Sequence, residues 1–239
     1  MKRFVILGLP RSGSTYLMTL LGAHRDVFCS GEQFNPYAVI GIGAQDDSHE
    51  AVLRRDKDPV GHMNAFFAAE KVRGTACAGF KFMIGHNIRL LEELGRRSDI
   101  AIIHVWRDNR LAQASSLMKA AKTRNWAQTR RDAHVHQKIH ATPRQISHRW
   151  HEYATFDHLV TIWLASLPHH RMAVEYREMF KPGFEQEICA FLGIRPHAGM
   201  KSPLVKQGSN AILDRFSQPA PLRYYFTQLG LEHWLGEEL

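Results

Sequence analysis

Residues 3–17 read RFVILGLPRSGSTYL. The apolar run ending at Leu9, closed by Pro10 and Gly13, predicts a buried strand that runs into a tight turn. Tyr16, Leu17, Leu20 and Leu21 then recur at helical spacing, so the opening is a strand–loop–helix unit. Gly8 and Gly13 have the GxxxxG spacing of a phosphate-binding loop, placed after a strand and before a helix as that loop requires. The glycines let the backbone turn so that successive N–H groups and the helix N-terminus converge on an anion. In nucleoside triphosphatases a Lys follows the second glycine and reaches the β- and γ-phosphates. Here Ser14 stands in that place and Arg11 supplies positive charge from inside the loop, which suits a single 5′-phosphate better than a triphosphate. The competing explanation is a glycine turn with a serine helix cap; the length of the match and its setting favour the phosphate loop.

Outward from this loop, the runs 77–84 (CAGFKFMI), 100–106 (IAIIHVW) and 171–176 (RMAVEY) read as three more buried strands, each followed by a helical pattern. Strands alternating with helices predict a three-layer α/β sandwich with a mostly parallel central sheet. The longest predicted helix covers about 143–166, with Ile146, Trp150, Tyr153, Leu159, Val160, Trp163 and Leu164 expected in the core. The basic, histidine-rich stretch 122–142 is expected to be exposed and mobile. The stretch 222–235 reads as a last packed helix, with an interface, and hence a homodimer, left open.

A length of 239 residues, 44% of them hydrophobic, predicts one domain spanning residues 1–239. The 31 Lys+Arg against 23 Asp+Glu leave a formal charge of +8, which favours an anionic partner without saying which. Cys29, Cys77 and Cys189 are widely spaced and odd in number, so neither a disulfide framework nor a zinc site is indicated and a cytoplasmic location is the simplest expectation. No window approaches the roughly 18 apolar residues of a membrane span, so a chain without membrane insertion is expected. His134, His136 and His140 have metal-like spacing but no acidic or Cys ligand nearby, and no metal is expected there. The same stretch with Trp126 could stack on single-stranded nucleic acid; a place beside a sugar acceptor is the preferred reading.

Arg107 ends the third predicted strand and Ser115 follows eight residues later in Arg107-Asp108-Asn109-Arg110-Leu111-Ala112-Gln113-Ala114-Ser115. If a helix begins near Asp108, Arg107 and Ser115 lie on one side and can meet a second anion. Asp108 also sits where a metal-holding Asp would serve a P-loop kinase, and that alternative stays open here. Lys81, inside the apolar strand 77–84, is costly unless it is paired or emerges at the functional end.

Together PRSGST, the Arg107–Ser115 spacing and Ser30-Gly31-Glu32-Gln33 resemble the sulfotransferases that use 3′-phosphoadenosine 5′-phosphosulfate (PAPS), in particular the bacterial carbohydrate group with its Nod-factor and trehalose enzymes. That group has Arg where many animal cytosolic sulfotransferases have Lys. The resemblance runs from about residue 3 to 216, with specific motifs at 8–16, 31–32 and 107–115. It implies that Pro10, Arg11, Ser12, Gly13, Ser14, Thr15 and Tyr16 hold the 5′-phosphosulfate, and Arg107 and Ser115 the 3′-phosphate. It implies further that Glu32 is the catalytic base, with Lys81 and Arg11 supporting the transferring group. The animal enzymes carry a catalytic His two residues after the strand Lys; here that position is Met83, which strengthens Glu32. Tyr176 resembles a Tyr beside the adenine, and Lys206-Gln207 the late basic loop that closes on the 3′-phosphate, with Arg215 and Arg195 as rivals. The expected co-substrate is PAPS without a metal, and the expected acceptor a carbohydrate or other hydroxyl compound, with no nucleic acid. A kinase-like phosphotransferase and a non-catalytic nucleotide- or glycan-binding protein are the alternatives.

Overall fold

The structure, a computed structural model, describes residues 1–69, 72, 74–127, 137–206 and 208–239. Strands of the sheet are interleaved with helices along the chain. Strand β1 (Lys2–Gly8) leads through the loop into helix α1 (Ser14–Gly22), strand β2 (Val27–Glu32), a short hairpin β3 (Val39–Ile40) and β4 (Gln45–Asp46), and helices α2 (His49–Lys57) and α3 (Pro59–Ala68). Then come β5 (Cys77–Met83), α4 (Ile88–Arg96), β6 (Ile100–Trp106), α5 (Arg110–Thr123) and α6 (Pro143–Ala165). Strand β7 (Arg171–Glu175), α7 (Phe184–Leu192) and α8 (Pro219–Gln228) follow.

Among the described residues the main sheet has the order β2-β5-β1-β6-β7, and every neighbouring pair is parallel. All five strands therefore end on one side, where Gly8 lies between Met83 and Val105, and Trp106 faces Glu175. The chain leaves β1 towards β2 and β5 on one flank and later fills β6 and β7 on the other. The crevice beyond the end of β1 is thus the topological switch point where ligands bind in such sheets.

Alternation along β1 sends its side chains into two cores. Phe4 and Ile6 pack with Leu17 and Leu21 of α1 and Ile188 of α7. Val5 and Leu7 pack with Met63 and Phe67 of α3, Leu90 of α4, and Val160 and Leu164 of α6. A third cluster joins Leu111 of α5, Ile146 of α6, Leu222 and Phe226 of α8, and Trp234.

The expected sandwich and its strands at 3–9, 77–84, 100–106 and 171–176 are β1, β5, β6 and β7. Strand β2 is the addition, because its Ser30-Gly31-Glu32 end has poor strand propensity and gives no apolar run. Leu159, expected in the core, is 56% exposed. The buried stripe of α6 is Ile146, Tyr153, Asp157, Val160 and Leu164, so it runs through a carboxylate and leaves Leu159 to one side. The expectation of an exposed stretch at 122–142 fails at Ile139, which is buried and whose N–H donates to the Arg215 carbonyl at 2.9 Å; residues 128–136, with His134 and His136, lie outside the described residues. The three cysteines are buried free thiols. Among the described residues, no helix is long and apolar enough to cross a membrane.

Candidate active site

The loop after β1 is shaped by two left-handed residues, Arg11 (φ 64°) and Gly13 (φ 101°). A Cβ on Gly13 would lie 2.6 Å from both Tyr176 and Met179, and one on Gly8 would lie 2.7 Å from the Val105 carbonyl. Only glycine fits at either end. Helix α1 begins on Gly13 with no side-chain cap and no acidic residue in its first turn. Its first-turn N–H groups, which have no carbonyl partners inside the helix, face the loop with their positive dipole. Pro10 is held from behind, its carbonyl accepting from Gln113 Nε2 at 2.8 Å. Gln113 Oε1 accepts in turn from Arg110 at 2.9 Å, which pairs with buried Asp157 at 2.6 Å. The Arg11 guanidinium donates to Ser116 Oγ at 2.9 Å and to the Trp126 carbonyl at 2.5 Å; burial, with Arg107 adding repulsion, lowers its pKa to about 10.

Beside the loop, strand β2 carries a bulge. Ser30 pairs with Phe80, but Glu32 rather than Gly31 pairs with Lys81. Leaving Gly31 out of the ladder puts Glu32 opposite Lys81, where an unbroken ladder would have carried it one residue further. Gly31 is suited to this position, since a Cβ there would lie 2.8 Å from the Ile40 carbonyl. Lys81 Nζ donates to Glu32 Oε1 at 2.7 Å and to Thr15 Oγ1 at 2.7 Å. Asn35 Nδ2 donates to Glu32 Oε2 at 2.6 Å. Burial alone would raise the Glu32 pKa, but the Lys81 charge and the hydrogen bonds from Lys81 and Asn35 outweigh it and hold the carboxyl below its usual range. Burial lowers Lys81, with Glu32 only partly offsetting this and Arg11 adding to it. His86 lies 3.9 Å from Glu32, and burial pulls its pKa down to about 4 despite that carboxylate.

Across the loop, Arg107 follows the end of β6. Its Nη1 donates to the Arg11 carbonyl at 2.9 Å, and its guanidinium stacks 4.2 Å from the centre of the Tyr176 ring. Its Nε donates to Glu238 at 2.7 Å. The same carboxylate lies 3.0 Å from Arg215 and 3.2 Å from Lys206. Arg215 also donates to Ser115 Oγ at 3.1 Å. Burial opposes ionisation of Glu238, yet the charges of Arg107, Arg215 and Lys206 bring its pKa down to about 2.

These groups share one cavity of about 760 Å³. Its wall joins the phosphate loop to Glu32 and Lys81 on one flank and to Arg107, Ser115 and Lys206 on the other. A sulfotransferase-family model matches residues 3–197 of the sequence. The chain belongs to the sulfotransferase family. Membership makes it an enzyme that transfers a sulfuryl group from PAPS. None of the curated proteins compared matches the chain. Among solved structures, a sulfotransferase from Alicyclobacillus acidocaldarius is similar, with 16% identity, 100% of this chain and 97% of that one covered, and a TM-score of 0.52. A mouse sulfotransferase complexed with PAP aligns at 13% identity over 83% of this chain and 61% of its own, with a TM-score of 0.43. A sulfotransferase domain from the curacin biosynthetic pathway aligns at 13% identity over 100% and 92%, with a TM-score of 0.49. The first similarity supports the fold; the other two are too weak to add to it.

In this sulfotransferase, Pro10, Arg11, Gly13, Ser14, Thr15 and Tyr16 line the cavity, as do Glu32, Lys81, Arg107, Ser115, Tyr176 and Lys206. Ser12, expected to contribute its backbone N–H, is fully buried, and that N–H donates to the Leu9 carbonyl at 3.3 Å. Arg107 and Ser115 do not meet directly; Arg215 and Glu238 stand between them. Of the two rival arginines, Arg215 lines the cavity, whereas Arg195 is exposed and offers its carbonyl to His24 at 2.9 Å. Gln207 lies outside the described residues. Asp108, the kinase candidate, pairs with Arg177 at 3.3 Å and accepts from Trp234 Nε1 at 3.4 Å, away from the loop. Among the described residues no three His, Cys, Asp or Glu side chains gather as metal ligands. Sequence reasoning missed Asn35, His86 and Glu238, none of which carries a local motif.

Proposed function

We propose that the cavity binds PAPS between its two basic flanks and that Glu32 takes the proton of an acceptor hydroxyl as the sulfuryl group transfers. The observation that carries this is the pairing of half-buried Glu32 with buried Lys81, set by the β2 bulge, with Lys81 also donating to Thr15 at the start of α1. The donor fits what is present. Two left-handed residues shape a cradle for the 5′-phosphosulfate, while Arg107, Arg215 and Lys206 already gather around a carboxylate where the 3′-phosphate belongs. Tyr176 lies between these two subsites, against Gly13 and Arg107, beside the adenosine.

The division of labour follows from charge. Glu32 is held ionised and can accept a proton. Lys81 reaches both the base and the first turn of α1, so it opposes negative charge growing on the sulfuryl oxygens, with Arg11 acting from the loop. His86 is neutral beside Glu32 and can hydrogen-bond an acceptor without adding charge. The acceptor enters past Tyr37 and Trp126, which are 83% and 53% exposed. Exposed aromatic faces at the edge of the cavity suit stacking on a sugar ring, and the resemblance to the carbohydrate enzymes points the same way.

Calorimetric titration with 3′-phosphoadenosine 5′-phosphate (PAP) and with AMP, both without metal, and with ATP plus Mg²⁺ tests the donor. Binding of PAP in preference to both others is expected. Preference for ATP with Mg²⁺ would instead show a kinase-like loop. A sugar acceptor is then tested with Trp126→Ala, for which a raised acceptor KM is expected; an unchanged KM removes Trp126 from the acceptor site.

A further inference from the structure

Glu238 occupies the centre of the basic flank. Its side chain is fully buried, and its carboxylate meets Arg107, Arg215 and Lys206. It is carried there by a short segment laid against residues 210–212. Ala211 bridges Glu237, and the Ile212 N–H donates to the Gly236 carbonyl at 3.0 Å. The Glu238 N–H donates to the Asn210 carbonyl at 3.2 Å, and the Leu239 N–H to Asn210 Oδ1 at 2.9 Å. Lys206 Nζ donates to the same Asn210 oxygen at 2.7 Å, so the segment and the cations are tied together.

Three cations around one carboxylate leave the subsite with excess positive charge. A phosphomonoester, with about −1.5 to −2 charge near neutral pH, balances it better than a single carboxylate does. The carboxylate and a phosphate cannot share these donors. We propose that Glu238 is a built-in occupant of the 3′-phosphate subsite, and that binding of the 3′-phosphate expels it together with residues 236–239. This rests on the donor reading given above. The enzyme is then closed to donor in its resting form, and the apparent donor affinity is the intrinsic affinity reduced by the fraction of molecules in which Glu238 has swung out. Ligands without a 3′-phosphate do not compete with Glu238.

Metal-free calorimetry on the whole chain and on Glu238→Gln, with PAP and AMP as ligands, tests this. Glu238→Gln should bind PAP about tenfold or more tightly than the parent chain, with AMP affinity unchanged. If the parent prefers PAP over AMP but Glu238→Gln binds PAP equally or more weakly, Glu238 positions the cations and the displacement is wrong while the donor reading stands. If neither protein distinguishes PAP from AMP, the 3′-phosphate subsite is elsewhere and both readings fall. Amide exchange on the parent chain needs no variant: saturating PAP should speed exchange at Glu238 and Leu239. Exchange there that slows or stays unchanged under PAP overturns the displacement.

Discussion

Glu32, the general base proposed above, must be ionised before the acceptor arrives, and it is kept so by the very group that restrains it. Lys81 and Asn35 hold both carboxylate oxygens, which fixes their direction at some cost in basicity. Glu32→Gln keeps the size and the Asn35 side of this arrangement but cannot take a proton. It should lower kcat by at least about 10²-fold while calorimetric PAP affinity changes little; lost PAP binding would mean that Glu32 organises the donor site instead. The pH profile follows from the same neighbours. Glu32 titrates below its ordinary 4.5 and His86 at about 4, so both keep one charge state from weakly acidic to neutral pH. The profile of kcat/KM should show no inflection near the ordinary imidazole pKa of about 6.5. An inflection there would bring His86 into proton transfer.

At the scale of elements, the phosphate loop is where sequence and structure agree most closely, because the glycine spacing is itself a geometric requirement. Gly13→Ala places a methyl group 2.6 Å from Tyr176 and Met179 at φ 101°. It should cost roughly 1–3 kcal/mol of stability, seen as a lowered Tm, and should abolish PAP binding by pushing Tyr176 off the loop. A variant that melts like the parent and still binds PAP would show that the loop's shape is not set at Gly13. Asp157 tests the support behind the loop. Its loss leaves Arg110 and His104 buried without their carboxylate. Asp157→Ala should destabilise by about 3–5 kcal/mol, and a Tm near the parent's would show that Arg110 finds another partner. Sequence could not show this chain of contacts, because Asp157 lies on the buried stripe of α6, where the helical pattern calls for an apolar residue. Strand β2 was hidden for a related reason: its end trades strand propensity for the position of Glu32.

For the whole molecule, the layers and sheet direction were legible because alternating apolar runs allow few other arrangements. Glu238 was not, since its partners at 107, 206 and 215 meet only after the chain has folded. That contact has a consequence for stability. A carboxyl group with a depressed native pKa stabilises the fold fully above its unfolded pKa and loses this as pH falls through the native one. For Glu238 the window runs from its ordinary 4.5 down to about 2. Melting temperature should therefore fall across that range, and less steeply for Glu238→Gln, which starts from a lower Tm. Equal slopes would show that other carboxylates carry the acid response. A variant less stable yet tighter for PAP would show that the resting fold and donor capture compete for the same cations.

The bulge in β2 also determines which changes of chain length the site can absorb. Gly31 faces no partner across β5, whereas Ser30 and Glu32 are opposite consecutive residues, Phe80 and Lys81. Loss of the residue at 31 would leave an unbroken ladder with the acid still opposite the lysine; an added residue would carry the acid past it. When homologous chains are aligned on Glu32 and Lys81, position 31 should hold a glycine or a gap, and insertions should be absent between 31 and 32.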